Sequence, residues 1–274
     1  TYLAWYPSRH PTRVGLLLSR THWVNGDLAV ETALIRELER YYDVLPVFCF
    51  GVPDKEIGAR SDREVVETFF TVPISALIDA RTFTPPRDAD AFTRTLERLN
   101  VPVFHPLILY HRTEEEWRSD THGMSGSDVS WYVAMPEFLG GIEMVPIGAA
   151  ENPDLAGTEG ERHAPLDERV KTFVGRVRRW IDLAQKPVEE RRVAFILHNK
   201  PCASVEATVG AGAHLDTLES VARILEAMHD RGYAVECPGS GNALIETIMN
   251  KKAVSDFRWT SVAEIVRRGG ALAL

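Results

Sequence analysis

The chain has 274 residues, and its 31 Lys and Arg against 39 Asp and Glu give a formal charge of −8. Binders of a phosphate backbone concentrate positive charge, so no nucleic-acid partner is expected. Hydrophobic residues make up 45% and charged residues 26%, ordinary values for a folded soluble domain, which exclude the disordered and fibrous classes. No apolar run approaches the ~20 residues of a membrane helix, and no basic start precedes an apolar stretch; a cytoplasmic chain without a membrane partner is expected. Cys49, Cys202 and Cys237 are widely spaced and odd in number, which fits a reducing compartment better than a disulfide framework. The chain opens Thr1-Tyr2-Leu3 with no initiator methionine, which points to a piece of a longer protein.

Val14 to Leu18 is a continuous apolar run, as expected of a strand buried on both faces. A polar loop, Thr21 to Asp27, follows it, and then Leu28, Leu34, Ile35, Leu38 and Tyr42 recur at helical spacing with Asp27 as a plausible N-cap. The alternation continues with strands at Val44–Phe50, Ala76–Ile78 and Val101–Phe104 and helices at Asp62–Phe70 and Asp88–Leu99. This pattern predicts an α/β fold, a doubly wound, Rossmann-like parallel sheet with helices on both faces and its binding loops at the carboxyl ends of the strands. Residues 105–150 are irregular, and 151–165, rich in Gly, Pro and acids, read as a linker. Beyond it, Val170, Phe173, Val174, Val177, Trp180 and Ile181 form a helical core stripe. Val193–Leu197 reads as another buried strand. Helices are expected around Leu215–Met228, with Asp216 and Glu219 as a capping pair, and at Asn242–Met249 and Ser261–Arg268. The expected organisation is one α/β unit at 13–150, the linker 151–165, and a second unit at 166–274.

Four polar clusters fall where strands end or the pattern breaks: His22 to Asp27; His105 to His111; His198-Asn199 with the Gly210–His214 loop and Asp216; and Glu137 with Glu143. Each has a plain structural reading as well, because a strand-end histidine is commonly a hydrogen-bonded loop residue and Asp27 and Asp216 are commonly helix caps. His163, in the linker, and His229, in a helix, read as solvated. The Gly210-Ala211-Gly212 loop lacks the Lys-Ser/Thr ending of a phosphate loop, and neither a nucleophile elbow nor a zinc-protease motif is present. If the clusters share one sheet edge, their imidazoles and carboxylates would suit a borderline divalent metal or a general base that removes protons from ring nitrogens.

Longer stretches add a resemblance. VGLLLSRTHWVNGD (14–27), followed by an amphipathic helix and VLPVFCF, resembles the large subunit of the cobaltochelatases, the CobN family, and more distantly the H subunit of magnesium chelatase. LNVPVFHPLILYHRTEEEWRSDTHGMSGSDVSWYVAMPEFLGGIEMVPIGA (99–149) resembles the family's most recognisable segment, and VAFILHNKP, GAGAHLDTLESVARIL and KKAVSDFRWTSVAEIV extend the likeness to the tail. Within it, LHN-x-P and HLDT look closer to the cobalt branch. The compact Thr82–Arg87 stretch departs from the longer Gly-rich segment the family commonly carries there.

The resemblance implies a ligase that forms metal–nitrogen bonds, inserting a divalent metal, cobalt by the branch assignment, into a corrinoid-type tetrapyrrole in cobalamin biosynthesis. It also implies that ATP is hydrolysed by separate AAA+ and metal-adhesion-type partner subunits and not by this chain, which would be an inner piece of a much longer subunit. Within that frame, His22, His198, Glu137 and Glu143 are the candidate catalytic residues. Asn25, His105, Asn199 and Asp216 are candidates for substrate binding, and His22, His105 and His198 for the metal. The rival expectation is a non-catalytic α/β module that docks the ATPase subunits through its acidic surface.

Overall fold

The apolar run from Val14 to Leu18 is the centre of a parallel sheet in the computed structural model, which describes residues 2–50, 52–81, 88–197, 210, 212 and 214–250. The chain divides into two units, Thr1–Ala184 and Gln185–Leu274. In the first, α1 (Tyr2–Trp5) leads into β1 (Arg13–Ser19), α2 (Arg20–Asn25), α3 (Ala29–Leu38), β2 (Asp43–Cys49), α4 (Asp62–Phe69), β3 (Ala76–Asp79), α5 (Ala89–Leu99) and β4 (Val103–Phe104). Then come β5 (Leu107–Leu109), α6 (Glu114–Ser119), α7 (Gly126–Val129), one π-helical turn (Ser130–Ala134), α8 (Met135–Phe138), β6 (Gly141–Ile142), β7 (Pro146–Ala150), β8 (His163–Pro165) and α9 (Asp167–Gln185).

The main sheet has the order β2-β1-β3-β4-β6 with every pair parallel. Side chains alternate across a strand, so Val14, Leu16 and Leu18 enter one core with Val30, Leu34 and Leu38 of α3 and Phe173, Val174 and Val177 of α9. Leu17 and Leu77 enter the opposite core with Val65 and Val66 of α4 and Phe92 and Leu96 of α5. Burying each such side chain stabilises by roughly 1.5–3 kcal/mol, and the two cores hold helices on both faces, the expected doubly wound arrangement. Gly15 is required on the second face, since a Cβ there would lie 2.8 Å from the Phe70 ring. Because β1 has β2 on one side and β3 on the other, the winding reverses between β1 and β3, and the crevice at their carboxyl ends is where such sheets bind ligands.

A second sheet, β5-β7-β8, carries the chain back towards α3. β5 and β7 are parallel, β7 and β8 antiparallel with Ala150 opposite His163, and Leu107, Leu109, Ala149 and Leu166 form its core. The close approach depends on Gly148, where a Cβ would fall 2.6 Å from Val30 of α3.

Three expectations need correction. The segment 151–165 is not simply a linker: it ends in β8, and the following α9 buries its stripe in the first unit's core, so the division falls after Ala184. The polar run after β1 is helical at Arg20–Asn25 and stops at Gly26, left-handed at φ 70°, a backbone conformation that favours glycine. Val193–Leu197 is not a strand; Ile196 is 94% exposed and Val193 is exposed too. Apolar composition alone cannot distinguish a buried run from a bare one.

In the second unit, α10 (Thr217–Asp230) and α11 (Gly241–Asn250) pack through Val221, Leu225, Leu244 and Ile248. Gly241 lets them touch, since its would-be Cβ lies 2.6 Å from the Glu219 amide nitrogen. Among the described residues this unit has no strand, only a bridge between Gly212 and Leu215. The expected helix at Ser261–Arg268, the Lys251–Val266 stretch, Thr82–Arg87, His198 and Asn199 lie outside the described residues.

Candidate functional site

His22 lies on α2, directly beyond the carboxyl end of β1, and is only 5% exposed. The left-handed turn at Gly26 reverses the chain, with the Asp27 amide donating to His22 O at 2.9 Å, and brings Asp27 and then Glu31 of α3 back alongside the ring. β8 delivers His163 to the same place, and Tyr110, directly after β5, closes it.

The polar atoms pair tightly. His22 Nδ1 lies 2.5 Å from Glu31 Oε1, and His22 Nε2 lies 3.0 Å from the Tyr110 hydroxyl. His163 Nδ1 lies 2.5 Å from Asp27 Oδ2, while Asp27 Oδ1 accepts the His163 main-chain N–H at 3.0 Å. A carboxylate only accepts, so both histidines present their Nδ1–H to an acid. His163 Nε2 is buried and has no hydrogen-bond partner, with Glu161 Oε1 3.5 Å away. The His22 and His163 rings are 5.5 Å apart, and the Tyr110 ring stands edge-on to His163 at 4.6 Å. One ring nitrogen from each histidine and one Asp27 oxygen lie within 4.8 Å of one another, the one such group among the described residues that could hold a metal ion.

Charge follows geometry. Burial disfavours the His22 imidazolium, but the hydrogen bond to Glu31 and the charges of Glu31, Asp27 and Glu161 outweigh it and raise the ring's affinity for its second proton. Burial likewise works against ionised Asp27, yet the two bonds from His163 hold its carboxyl below the usual range. Asp27 therefore stands as a carboxylate beside the two rings.

A second buried cluster lies at the carboxyl ends of β2 and β3. Arg81 grips both oxygens of Asp79, Nε to Oδ1 at 2.8 Å and Nη2 to Oδ2 at 2.6 Å, and also donates to Asp62 and, at 3.2 Å, to Cys49 Sγ. Burial raises the Asp62 carboxyl despite Arg81, whereas at Asp79 the guanidinium overcomes burial and lowers it. His105 is buried, donates its main-chain N–H to Ile142 O at 2.9 Å, and is pushed down by burial, so its ring is neutral near pH 7.

The sequence candidates thus scatter. His22 is in the metal-competent group; His105 is not, and feels Asp79 and Arg81 instead. Asn25 is half-buried at the end of α2, and Glu137 is exposed on α8. Glu143 has left-handed backbone, φ 60°, and its carboxylate accepts from Arg176 Nε and, at 3.0 Å, from Trp180 Nε1. Asp216 caps α10 by accepting from the Glu219 amide at 3.1 Å. His163 and Asp27 reverse their plain readings: His163 is 2% exposed, not solvated, and Asp27 makes no cap bond to α3. Glu31, Tyr110 and Glu161 carry no sequence signal of their own; the one usable hint was the pairing of an acid and a histidine that both flank apolar segments.

The fold and this group define a doubly wound α/β domain with a buried imidazole–carboxylate cluster at its strand ends. The chain belongs to the CobN/Magnesium Chelatase family, whose model matches residues 1–273. It is 41% identical over 273 residues to an uncharacterized protein of Methanocaldococcus jannaschii, covering 95% of this chain and 22% of that one. It is 31% identical to the chloroplastic magnesium-chelatase subunit ChlH of Oryza sativa subsp. indica, covering 92% of this chain and 19% of the other. The fold matches the catalytic subunit of cobaltochelatase from Mycobacterium tuberculosis with a TM-score of 0.67 and 25% identity, covering 89% of this chain and 20% of that one. The chain therefore spans about a fifth of the length of these relatives. Among the described residues, no helix is long and apolar enough to cross a membrane.

Proposed function

We propose that this chain serves a chelatase large subunit that inserts a divalent metal, cobalt in our reading, into a corrinoid-type tetrapyrrole, with ATP hydrolysed by AAA+ and metal-adhesion-type partner subunits in the cytoplasm. The observation that carries this reading is the buried group of His22, Asp27 and His163 in a chain of this family. Insertion exchanges the inner N–H of the macrocycle for bonds to M²⁺, so the site must handle a cation and accept the proton released. Imidazole and carboxylate suit both tasks. His22 would hold the metal, and His105, kept neutral by burial, is suited to take a proton. His198, Glu143, held by Arg176 and Trp180, and exposed Glu137 are candidates for metal delivery or proton removal, and Asn25, Asn199 and Asp216 for orienting or capping.

The test is a reconstituted chelatase reaction with cobalt, hydrogenobyrinate-type macrocycle, ATP and the partner subunits. The reading expects insertion to collapse in His22→Ala while the partners still bind. Retained insertion with lost partner binding on changing surface acids would favour the docking alternative.

A further inference from the structure

We propose that His163 Nε2 and the Glu161 carboxylate dock a borderline divalent cation beside the His22 ring, with Asp27 and Glu31 orienting the two imidazoles. The proposal rests on the metal-insertion reading and adds to it the residues and the class of cation.

The first argument is the arrangement of the histidines. Ligating imidazoles characteristically give their other ring N–H to a carboxylate, which fixes the tautomer and aims the free nitrogen at the metal. Here both Nδ1 atoms are tied to acids, His163 to Asp27 and His22 to Glu31, each at 2.5 Å. That leaves the two Nε2 atoms. One of them, on His163, is buried and without a hydrogen-bond partner, an uncommon state for a polar atom in a folded interior. The other, on His22, meets the Tyr110 hydroxyl at 3.0 Å, a group a metal could replace or share.

Spacing and charge agree. Two ligands of one tetrahedral metal with bonds of about 2.1 Å stand roughly 3.4 Å apart; His163 Nε2 and Glu161 Oε1 are 3.5 Å apart. Three carboxylates, Asp27, Glu31 and Glu161, surround two imidazoles, so a cation would neutralise surplus negative charge in a place shielded from water. The mixture of nitrogen and oxygen donors selects cobalt, nickel or zinc over magnesium, which prefers oxygen alone and gives up its waters reluctantly.

The experiment is equilibrium dialysis of the purified protein with Co²⁺, without macrocycle, nucleotide or partner subunits, alongside the visible d–d spectrum and Mg²⁺ competition. We expect one Co²⁺ per chain with imidazole nitrogen in its coordination sphere, at least tenfold weaker binding in both His163→Gln and Glu161→Gln, and no displacement by a hundredfold excess of Mg²⁺. Because His163 is buried, circular dichroism accompanies each variant, and a variant-free readout stands beside them. In ¹⁵N-histidine spectra of the unaltered protein, Co²⁺ should shift the His22 and His163 rings before any of the other seven of the nine histidines. No Co²⁺ binding, shifts that begin at other histidines, or equal competition by Mg²⁺ would overturn the proposal. Macrocycle binding and insertion measured in the full complex separate the two readings: insertion that persists without Co²⁺ at this site sinks the site alone, whereas Co²⁺ binding here without macrocycle binding sinks the chelatase function alone.

Discussion

Asp27 holds His163 by two bonds at once, Oδ2 to the ring Nδ1 at 2.5 Å and Oδ1 to the main-chain N–H at 3.0 Å, across 136 residues of sequence. The side chain therefore fixes both the position of β8 and the direction in which the imidazole faces.

Asp27→Asn keeps one acceptor oxygen but removes the charge and sets an amide N–H against a donor. A buried hydrogen bond to a charged group, once broken, costs about 1–3 kcal/mol, and urea unfolding should show a loss in that range. A loss below about 0.5 kcal/mol, the size of a typical surface change, would mean that the pair does not hold β8.

Arg81 is the cation that bridges Asp79 and Asp62. Arg81→Met leaves the Asp62 and Asp79 carboxylates beside Cys49 without their guanidinium, Asp79 keeping the main-chain N–H of residue 81 at 3.2 Å, and breaking a buried pair in this way costs about 3–5 kcal/mol. The double variant Arg81→Met with Asp79→Leu should recover part of the stability, measured in the same unfolding experiment. No recovery would show that the cluster does not act as an ion network.

At Gly148 of β7 a Cβ would fall 2.6 Å from Val30 of α3. Gly148→Val places a branched side chain against Val30 and should destabilise by about 1–3 kcal/mol through overpacking. Since α3 carries Glu31, the same change should also disturb the His22 ring, visible as an altered ¹⁵N-histidine resonance. An unmoved resonance would mean the shift is absorbed elsewhere.

The Asp43 carboxylate accepts from Ser8 Oγ at 2.6 Å and from the Arg9 and His10 amides at 2.9 and 3.0 Å. Burial alone would raise its pKa, but these bonds outweigh burial and lower it. A carboxyl depressed in the folded state contributes fully above its unfolded value, roughly 3.9, and loses the contribution as pH falls through the folded value. The destabilisation caused by Asp43→Asn should therefore be full at pH 7 and shrink below about pH 4; a penalty independent of pH would remove the charge from the explanation.

The sheet was legible in the sequence because its strands are buried on both faces and read as apolar runs, Val14–Leu18 and the segment after Val44, between helices whose apolar residues repeat every three to four positions. The site was legible only in part. His22 stood out at a strand end, but its environment comes from Glu31 one helix turn into α3 and from β8, hidden in a stretch rich in Gly, Pro and acids that looks like a linker. The Asp27–His163 pair is a long-range contact, and local pattern carries no information about it. Val193–Leu197 failed for the converse reason: its composition is that of a buried strand, while its burial depends on neighbours that composition does not specify. Glu143 was found as an acid near an irregular turn, but its ties to Arg176 and Trp180 are long-range contacts that depend on α9 packing within the first unit.

The account stands or falls on whether the buried imidazole–carboxylate group handles the metal. The direct measurement is the cobalt insertion rate of the reconstituted complex carrying His163→Gln, with macrocycle binding and folding checked in the same preparation. We predict a fall of at least a hundredfold in rate with macrocycle affinity unchanged; an unchanged rate in the folded variant would contradict the account.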